Sequence, residues 1–298
     1  GVGPPVREGR HAVRRLASTP AFTVSAIGIL ALALGLLTGV FTLVHRIVLQ
    51  PLPYPNADRL VALDHAAPGV GLARNLGMSL GTYREYAALP SVSATAIYYV
   101  GEATVAIDGE AMRADFLHTT PSLSAVLGFA AAEGRWFVEE EGRDGAPPRV
   151  VLSHAYWQSA FGGRADAVGA ILRVDGEPHE IIGVLGADLL FPNPEIDFVM
   201  ALPMPASITR AASFNFQGIG RLAPGATAER ARAEQDAVIA DLPARFPQDD
   251  PENKELLRRS GLTSLLEPYQ ARLLGDTAAT LWLLLAVGPA GVCMAAAH

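Results

Sequence analysis

Cysteine and lysine are nearly absent from this 298-residue chain. Cys293 is the only cysteine, so no disulfide can form within the chain, which must be held by its own packed core. Lys254 is the only lysine, and the pattern G-x-x-x-x-G-K-[ST] occurs nowhere. ATP hydrolysis through a P-loop needs that lysine to reach the phosphates. The sequence therefore excludes a P-loop ATPase, and we expect no cofactor on this chain.

Charged residues are missing from two long stretches, residues 17–44 and 277–297. A helix that crosses a bilayer needs roughly 20 predominantly apolar residues, and both stretches are long enough. We predict transmembrane helices over residues 17–49 and 277–298, the second truncated because no cytoplasmic anchor follows it. A buried helix of a soluble protein and a cleaved signal peptide are the alternatives for the first stretch. The length of the run and the bulky residues 43–46 argue against both.

Basic residues are distributed unequally around the first predicted span. Four arginines precede the uncharged stretch at residues 17–44 and only Glu8 opposes them, whereas Arg46 follows that stretch and the next basic residue is Arg59. Positive charge favours the cytoplasmic side of a membrane. We therefore predict a cytoplasmic or interfacial segment at residues 1–16 and a large domain outside the membrane at residues 50–276. The candidate cytoplasmic-face anchors are Arg7, Arg10, Arg14 and Arg15.

The chain leaves the first span through a proline-rich segment. Pro51, Pro53 and Pro55 cannot continue a helix, and the residue before each proline is pushed towards extended backbone. The predicted end of the helix lies between the membrane span and the outer domain, where motion of the span would be transmitted to that domain. We predict that these three prolines are the site of mechanical coupling.

The pattern of residues 50–276 predicts a mixed α and β domain. Asp108-Gly109 and Asp175-Gly176 each separate two alternating apolar runs, which is typical of β-hairpins. Residues 78–89 predict a helix capped by Ser79. A second helix, capped by Thr227, should bury one face. That face is formed by Ala231, Gln235, Val238 and Leu242.

No constellation of catalytic or metal-binding residues stands out. His118, His154 and His179 are far apart in the sequence and lack ligand spacing. No G-x-S-x-G surrounds Ser153, so a membrane-bound hydrolase is a remote alternative. Esterase or peptidase activity that Ser153→Ala abolishes would support it. Residues 139–141, all glutamate, predict a solvated loop. Net charge of −7 argues against nucleic-acid binding. We predict no catalytic, metal or cofactor-binding residue.

Five blocks of the sequence together resemble one known family. The first is the stretch from RRLASTPAF to LPYPNADRLVAL, and the others follow in order at the appropriate separations. The chain resembles the MacB/FtsX-like ABC transporter permeases, especially orphan acidobacterial-type permeases without a fused ATPase. It departs from the family pattern at Gly186 and Ala187, where Met-Pro is usual. The later blocks are SLSAVLGFAAAEGRWF, VVLSHAYWQSAFGG, AVGAILRVDGEPHEIIGVL and IGRLAPGATAERARAEQDAV.

The resemblance implies an architecture and a set of partners. It implies a MacB-like periplasmic core domain with a split ferredoxin-like α/β part at residues 50–100 and 210–270 and a β-rich insertion at residues 101–209. It also implies a bacterial inner membrane location, a separate ABC ATPase, a homodimer or paired permease, and a periplasmic adaptor or substrate. The expected function is the permease subunit of an exporter or mechanotransmission complex. The alternative is a membrane-anchored periplasmic binding or adaptor domain without ATPase coupling.

Overall fold

The computed structural model describes residues 52–107, 109–189, 191–192, 195–208, 210–211, 213–273 and 275, together with residues 28, 31, 34, 35, 38, 39 and 42. Residue contacts divide the chain into two compact units, of which residues 51–272 form one and residues 1–50 with 273–298 form the other. Within the described residues, no helix is both long and apolar enough to cross a membrane. Apart from those seven isolated positions, the predicted spans at 17–49 and 277–298 lie outside the described residues.

The unit of residues 51–272 contains one mixed sheet and five α-helices among the residues described. The helices are α1 (Leu80–Ala87), α2 (Leu123–Leu127), α3 (His154–Phe161), α4 (Ala228–Arg245) and α5 (Pro251–Ser260). The strands are β1 (Leu60–Ala66), β2 (Val92–Ile107), β3 (Glu110–Thr119), β4 (Glu133–Gly134), β5 (Arg149–Leu152), β6 (Ile171–Val174), β7 (Glu177–Val184), β8 (Phe198–Ala201), β9 (Gln217–Leu222) and β10 (Thr263–Pro268).

One half of the sheet is covered on both faces. Its order is β10-β1-β9-β2, and every neighbouring pair is antiparallel. All seven residues of β1 are buried, as a strand covered on both sides requires. Val61 and Leu63 face a core shared with α1 and α4, which we call the helix core. Leu60 and Ala62 face the opposite core, shared with α2, which we call the junction core.

The other half of the sheet closes on itself. The order continues β2-β3-β8-β5-β7, and β6 pairs with both β7 and β2. These six strands form a closed ring with its own apolar interior, the ring core. Strand β2 belongs to both halves, and the predicted boundary between residues 100 and 101 falls within it. The ring core includes Val105, Val150, Leu172, Ile181 and Phe198, all fully buried.

The local predictions in this domain are largely confirmed. Both Asp-Gly hairpins form, joining β2 to β3 and β6 to β7. The Ser79 side chain accepts a hydrogen bond from the Thr82 amide and caps α1, and Thr227 caps α4 through the Arg230 amide. The predicted buried face of α4 is present at all its positions, which are Ala231, Gln235, Val238 and Leu242.

The prediction for residues 139–141 is wrong in one respect. Glu139–Gly142 form a single 3-10 turn, and Glu141 is buried there instead of solvated. Its carboxylate accepts a hydrogen bond from Arg135 at 2.7 Å and another from Arg149. The Val138 amide donates a further hydrogen bond at 3.0 Å. Two arginines and a backbone amide therefore replace water around the Glu141 carboxylate. A run of three glutamates in the sequence does not indicate these partners.

Strand β9 lies between β1 and β2 and tolerates no side chain at Gly218. A Cβ there would lie 2.5 Å from Met78 Cγ and 2.8 Å from the Leu63 carbonyl oxygen. Gly186 offers a control, because a Cβ at that position would have no heavy atom within 4 Å. The glycine in β9 therefore allows α1 and its preceding loop to approach the sheet.

We expect Gly218→Ala to lower the free energy of unfolding by about 1–3 kcal/mol, because the added methyl group overpacks the helix core. Gly186→Ala should change it by less than about 0.5 kcal/mol. Urea unfolding of the chain in detergent, followed by circular dichroism, measures both. Equal stability of the two variants would contradict the close packing at β9.

Two histidines of the domain, the buried His65 and the half-buried His118, have lowered pKa values. His65 in β1 lies 2.6 Å from the Gly77 carbonyl oxygen through Nδ1 and 2.7 Å from the Tyr86 hydroxyl through Nε2. Burial lowers the pKa of His65 below 6.5. Burial, and secondarily the charge of His179, lowers the pKa of His118 to about 4. The unfolded chain binds more protons than the folded chain once the pH drops below about 6.5.

We expect the free energy of unfolding to fall as the pH is lowered from about 6.5 towards 4, with His118 contributing about 2–3 kcal/mol of that loss. His118→Gln should show a shallower pH dependence over the same range, whatever its stability at pH 7. Urea titrations of both chains at half-unit pH intervals test this. An unchanged slope in the variant would contradict the lowered pKa of His118.

Candidate functional site

The chain enters and leaves the domain at one place. Strands β1 and β10 are antiparallel neighbours, and Val61 at the start of β1 lies opposite Pro268 at the end of β10. Residues 52–59, the incoming segment, lead into β1, and residues 269–272, the outgoing segment, continue from β10 as a helix. We call these two segments the junction. Any force carried along the chain between the domain and its flanking segments passes through the junction.

Aromatic side chains anchor both segments of the junction. Tyr54 of the incoming segment and Tyr269 of the outgoing segment are buried in the junction core. The Phe191 ring lies 5.8 Å from the Tyr269 ring and 4.8 Å from the ring of Tyr98 in β2. Burial raises the pKa of Tyr98 to about 12 and also raises that of Tyr269. These rings tie the junction to the strand that both halves of the sheet share.

A buried arginine holds the incoming segment. Arg221 in β9 donates from Nη1 to the carbonyl oxygens of Pro55 at 2.7 Å and Asn56 at 3.1 Å. Its Nε donates to the carbonyl oxygen of Val126, near the end of α2, at 2.6 Å. Burial lowers the pKa of Arg221, and the nearby positive charge of Arg59 adds to that effect. One guanidinium therefore joins the incoming segment, the central sheet and α2.

The ring of Pro55 in the incoming segment lies close to Gly128. A Cβ added to Gly128 would lie 3.2 Å from Pro55 Cγ, and Gly128 has a φ of +74°. A larger residue at position 128 would therefore press on the proline and strain the backbone. At the end of the incoming segment, Arg59 Nε donates a hydrogen bond to the Leu222 carbonyl oxygen of β9 at 2.9 Å.

A second arginine holds the outgoing segment. Arg272 Nη1 lies 3.2 Å from Asp64 Oδ2 and 3.4 Å from Glu267 Oε1. Asp64 in β1 is 4% exposed, and its carboxylate accepts hydrogen bonds from the amides of His65, Asn75 and Gly77. A buried carboxylate with these partners is well compensated. The outgoing segment is thereby fixed to the strand that the incoming segment feeds.

The structure describes only part of the predicted coupling site. Pro53 and Pro55 are exposed at the surface of the incoming segment, with the buried Tyr54 between them. Pro51 lies outside the described residues, as do all four predicted cytoplasmic-face anchors. The coupling role of the prolines stays a prediction. The anchors in question are Arg7, Arg10, Arg14 and Arg15.

Sequence reasoning missed the residues that hold the junction. Arg221 lies within an otherwise uncharged strand, GIGRL, and Asp64 interrupts the apolar strand LVALDHA. A charged residue inside a buried strand signals a buried ion pair or a carbonyl clamp. Arg272 gives no such signal, because its partner Asp64 is identified only by the pairing of β1 with β10.

The histidines and Ser153 occupy separate places. His118 and His179 line one cavity at the end of the six-strand ring, whereas His154 begins α3. Ser153 caps α3 by accepting a hydrogen bond from the Tyr156 amide. The described residues hold no group of three or more His, Cys, Asp or Glu side chains placed to bind a metal ion.

We expect Arg221→Met to destabilise the chain by about 2–4 kcal/mol, because three carbonyl groups lose their donor. Amides that hydrogen-bond within the incoming segment, such as those of Tyr54 and Arg59, should exchange with solvent about tenfold faster. Arg230→Met is the control, since Arg230 is exposed and pairs only with Glu234. Hydrogen exchange read by mass spectrometry tests this. Unchanged protection of residues 52–59 in Arg221→Met would contradict the clamp.

Comparison with known proteins finds similarity to part of one transport protein. The chain is 28% identical over 166 residues to the macrolide export ATP-binding/permease protein MacB of Nitrosomonas europaea, which covers 55% of this chain. The match spans 25% of the length of that relative. The similarity therefore concerns one region of a longer protein.

Solved structures share the fold. The periplasmic region of MacB from Actinobacillus actinomycetemcomitans matches with a TM-score of 0.51 and 10% identity, covering 72% of this chain and 92% of that one. A domain of a Porphyromonas gingivalis protein named as a permease matches with a TM-score of 0.52 and 18% identity, with the same coverage. At these identities, the likeness extends to the mixed α/β fold alone.

The family model of the MacB-like periplasmic core domain matches residues 23–238, which is more than half of the chain. Those residues include the incoming segment, the closed ring of strands, the Arg221 clamp and most of α4. The resemblance read from the sequence blocks is thereby confirmed, and the chain belongs to the family of the MacB-like periplasmic core domain.

Proposed function

We propose that this chain is the membrane subunit of an ABC-type exporter or mechanotransmission complex. Residues 17–49 and 277–298 cross the inner membrane, residues 1–16 face the cytoplasm, and residues 50–276 form the periplasmic domain. The observation that carries the proposal is the junction. Both ends of a domain from an ABC permease family are fixed side by side, and each continues in sequence towards a long uncharged stretch.

In this proposal the energy comes from a separate ABC ATPase subunit. The similar MacB protein is named as both ATP-binding and permease, whereas this chain has no P-loop pattern. We propose that the ATPase subunit binds and hydrolyses ATP while this chain forms part of the membrane component. The permease acts as a homodimer or beside a paired permease, and its domain engages a substrate or a periplasmic adaptor.

Rigidity at the junction gives the domain a way to follow the membrane helices. Arg221 and Arg272 tie the incoming and outgoing segments to β9 and β1. The tyrosines at positions 54 and 269 bury both segments in one core. A displacement of either flanking segment is thus transmitted to the central sheet and not absorbed in a loose linker. The exposed prolines of the incoming segment stiffen its connection to the first span.

The first experiment is affinity purification of the tagged chain from its native membrane, followed by identification of the proteins retained. We expect an ABC ATPase subunit to co-purify and the association to be lost when residues 1–16 are deleted. An intact, folded chain that retains no ATPase would contradict the proposal. That outcome would favour a membrane-anchored periplasmic binding or adaptor domain without ATPase coupling.

The coupling role of the prolines is tested on the same complex. We expect replacement of Pro51, Pro53 and Pro55 by Gly and Ser residues to uncouple ATP hydrolysis from substrate or partner response, because the stiff connection becomes flexible. Replacement of the exposed Pro203 and Pro205 by Ser is the control. The measurement is ATPase activity of the reconstituted complex with and without its periplasmic partner. Full coupling in the first variant would contradict the coupling role.

A further inference from the structure

A cavity of about 180 Å³ opens at one end of the six-strand ring. It lies where β3 and β8 end and where β5 and β7 begin, and it is separate from the junction. Since one water molecule occupies roughly 30 Å³ in the liquid, the cavity has room for about six waters. The cavity is partly open to solvent, so it can take a small molecule or the end of a longer one.

Two histidines line the cavity, and each has its Nδ1 engaged in a hydrogen bond. The ring of His118 lies 2.7 Å from the Tyr99 hydroxyl through Nδ1. When the Tyr99 hydroxyl donates this hydrogen bond, the imidazole proton of His118 resides on Nε2. His179 Nδ1 lies 3.1 Å from the Glu177 carbonyl oxygen and donates to it, so Nε2 is the ring nitrogen that is left to contact a ligand.

The arginines at the cavity are unequally compensated. Glu141, which lines the cavity, is shared by Arg135 and Arg149, and Glu180 supplies a second carboxylate to Arg149. Arg149 Nε is buried without a hydrogen bond, although Glu180 lies 3.3 Å away. Arg143 is 71% exposed at its side chain, and its nearest carboxylate is that of Glu140 at 3.6 Å, a distance too long for a hydrogen bond. Arg143 is therefore the cation most available to an incoming anion.

We propose that this cavity binds the carboxylate of an N-acylated amino acid, either as a small molecule or as the C-terminal residue of a peptide. The ligand carboxylate accepts hydrogen bonds from Arg143 and from Nε2 of His118. The adjacent amide N–H donates to Nε2 of His179. An apolar side chain lies against Met200 and Pro148, which also line the cavity. This site does not depend on the proposed coupling to an ATPase.

The charge state of His118 fits this arrangement. Burial and the neighbouring His179 lower the pKa of His118 to about 4, so its ring is neutral at pH 7 and acts as an N–H donor. The ligand charge is then met by Arg143, whose exposed position lets it move to the carboxylate. Recognition of a carboxylate by an arginine and a neutral donor is geometrically specific and tolerant of different ligand side chains.

Calorimetric titration of the full chain in detergent tests the site with defined probes. The probes are N-acetyl-leucine, N-acetyl-leucinamide, and an acetylated tripeptide ending in leucine. We expect the free acid to bind about tenfold more tightly than the amide, because the amide lacks the charge that Arg143 recognises. Arg143→Gln and His118→Gln should each weaken binding of the acid by about the same factor. Arg113→Gln is the control, because Arg113 is 79% exposed and pairs with Glu102.

The outcomes separate the sources of the ligand and can overturn the site. Tighter binding of the tripeptide than of N-acetyl-leucine assigns a peptide C-terminus, and equal binding assigns a small N-acylated amino acid. The proposal is overturned if neither acid binds to the folded chain, or if acid and amide bind equally. It is also overturned if Arg113→Gln weakens binding as much as Arg143→Gln does.

Discussion

The guanidinium of Arg221 is the group on which the arrangement of this domain depends. A buried charge is tolerated only when hydrogen bonds replace the water it has lost. Arg221 meets this requirement at Nε and Nη1, which donate to carbonyl oxygens of α2 and of the incoming segment, whereas its Nη2 is buried without a hydrogen bond to any described residue. Because these carbonyls come from elements far apart in sequence, satisfying one side chain fixes the position of all of them. The place where the chain enters the domain is therefore a consequence of folding the central sheet.

Strand β2 extends that constraint to the rest of the molecule. Its first half pairs with β9 beside the Arg221 clamp, and its second half closes the six-strand ring through β6. Tyr98 lies between these regions and contacts the aromatic group of the outgoing segment through Phe191. A rigid path of paired strands thus connects the junction to the ring. The helix core, the junction core and the ring core are packed on one continuous sheet.

The sequence predicted local structure well because local rules govern it. The Asp-Gly hairpins, the caps at Ser79 and Thr227, and the apolar face of α4 all follow from short-range spacing. The family could also be recognised, since its blocks are contiguous. Closure of the ring by β6 could not be predicted, because pairing of β6 with β2 joins residues 105 and 174 without any local signal. The burial of Glu141 and the pair formed by Asp64 and Arg272 were hidden for the same reason.

The central claim is that both segments of the junction are held as one rigid body with the sheet. Spin labels at Pro53→Cys and Ala271→Cys, in a chain carrying Cys293→Ser, report the distance between the two exposed positions by pulsed electron resonance. We expect one narrow distance distribution in the spin-labelled chain and a broad one when Arg221→Met is added to it. Equally broad distributions in both chains would contradict it.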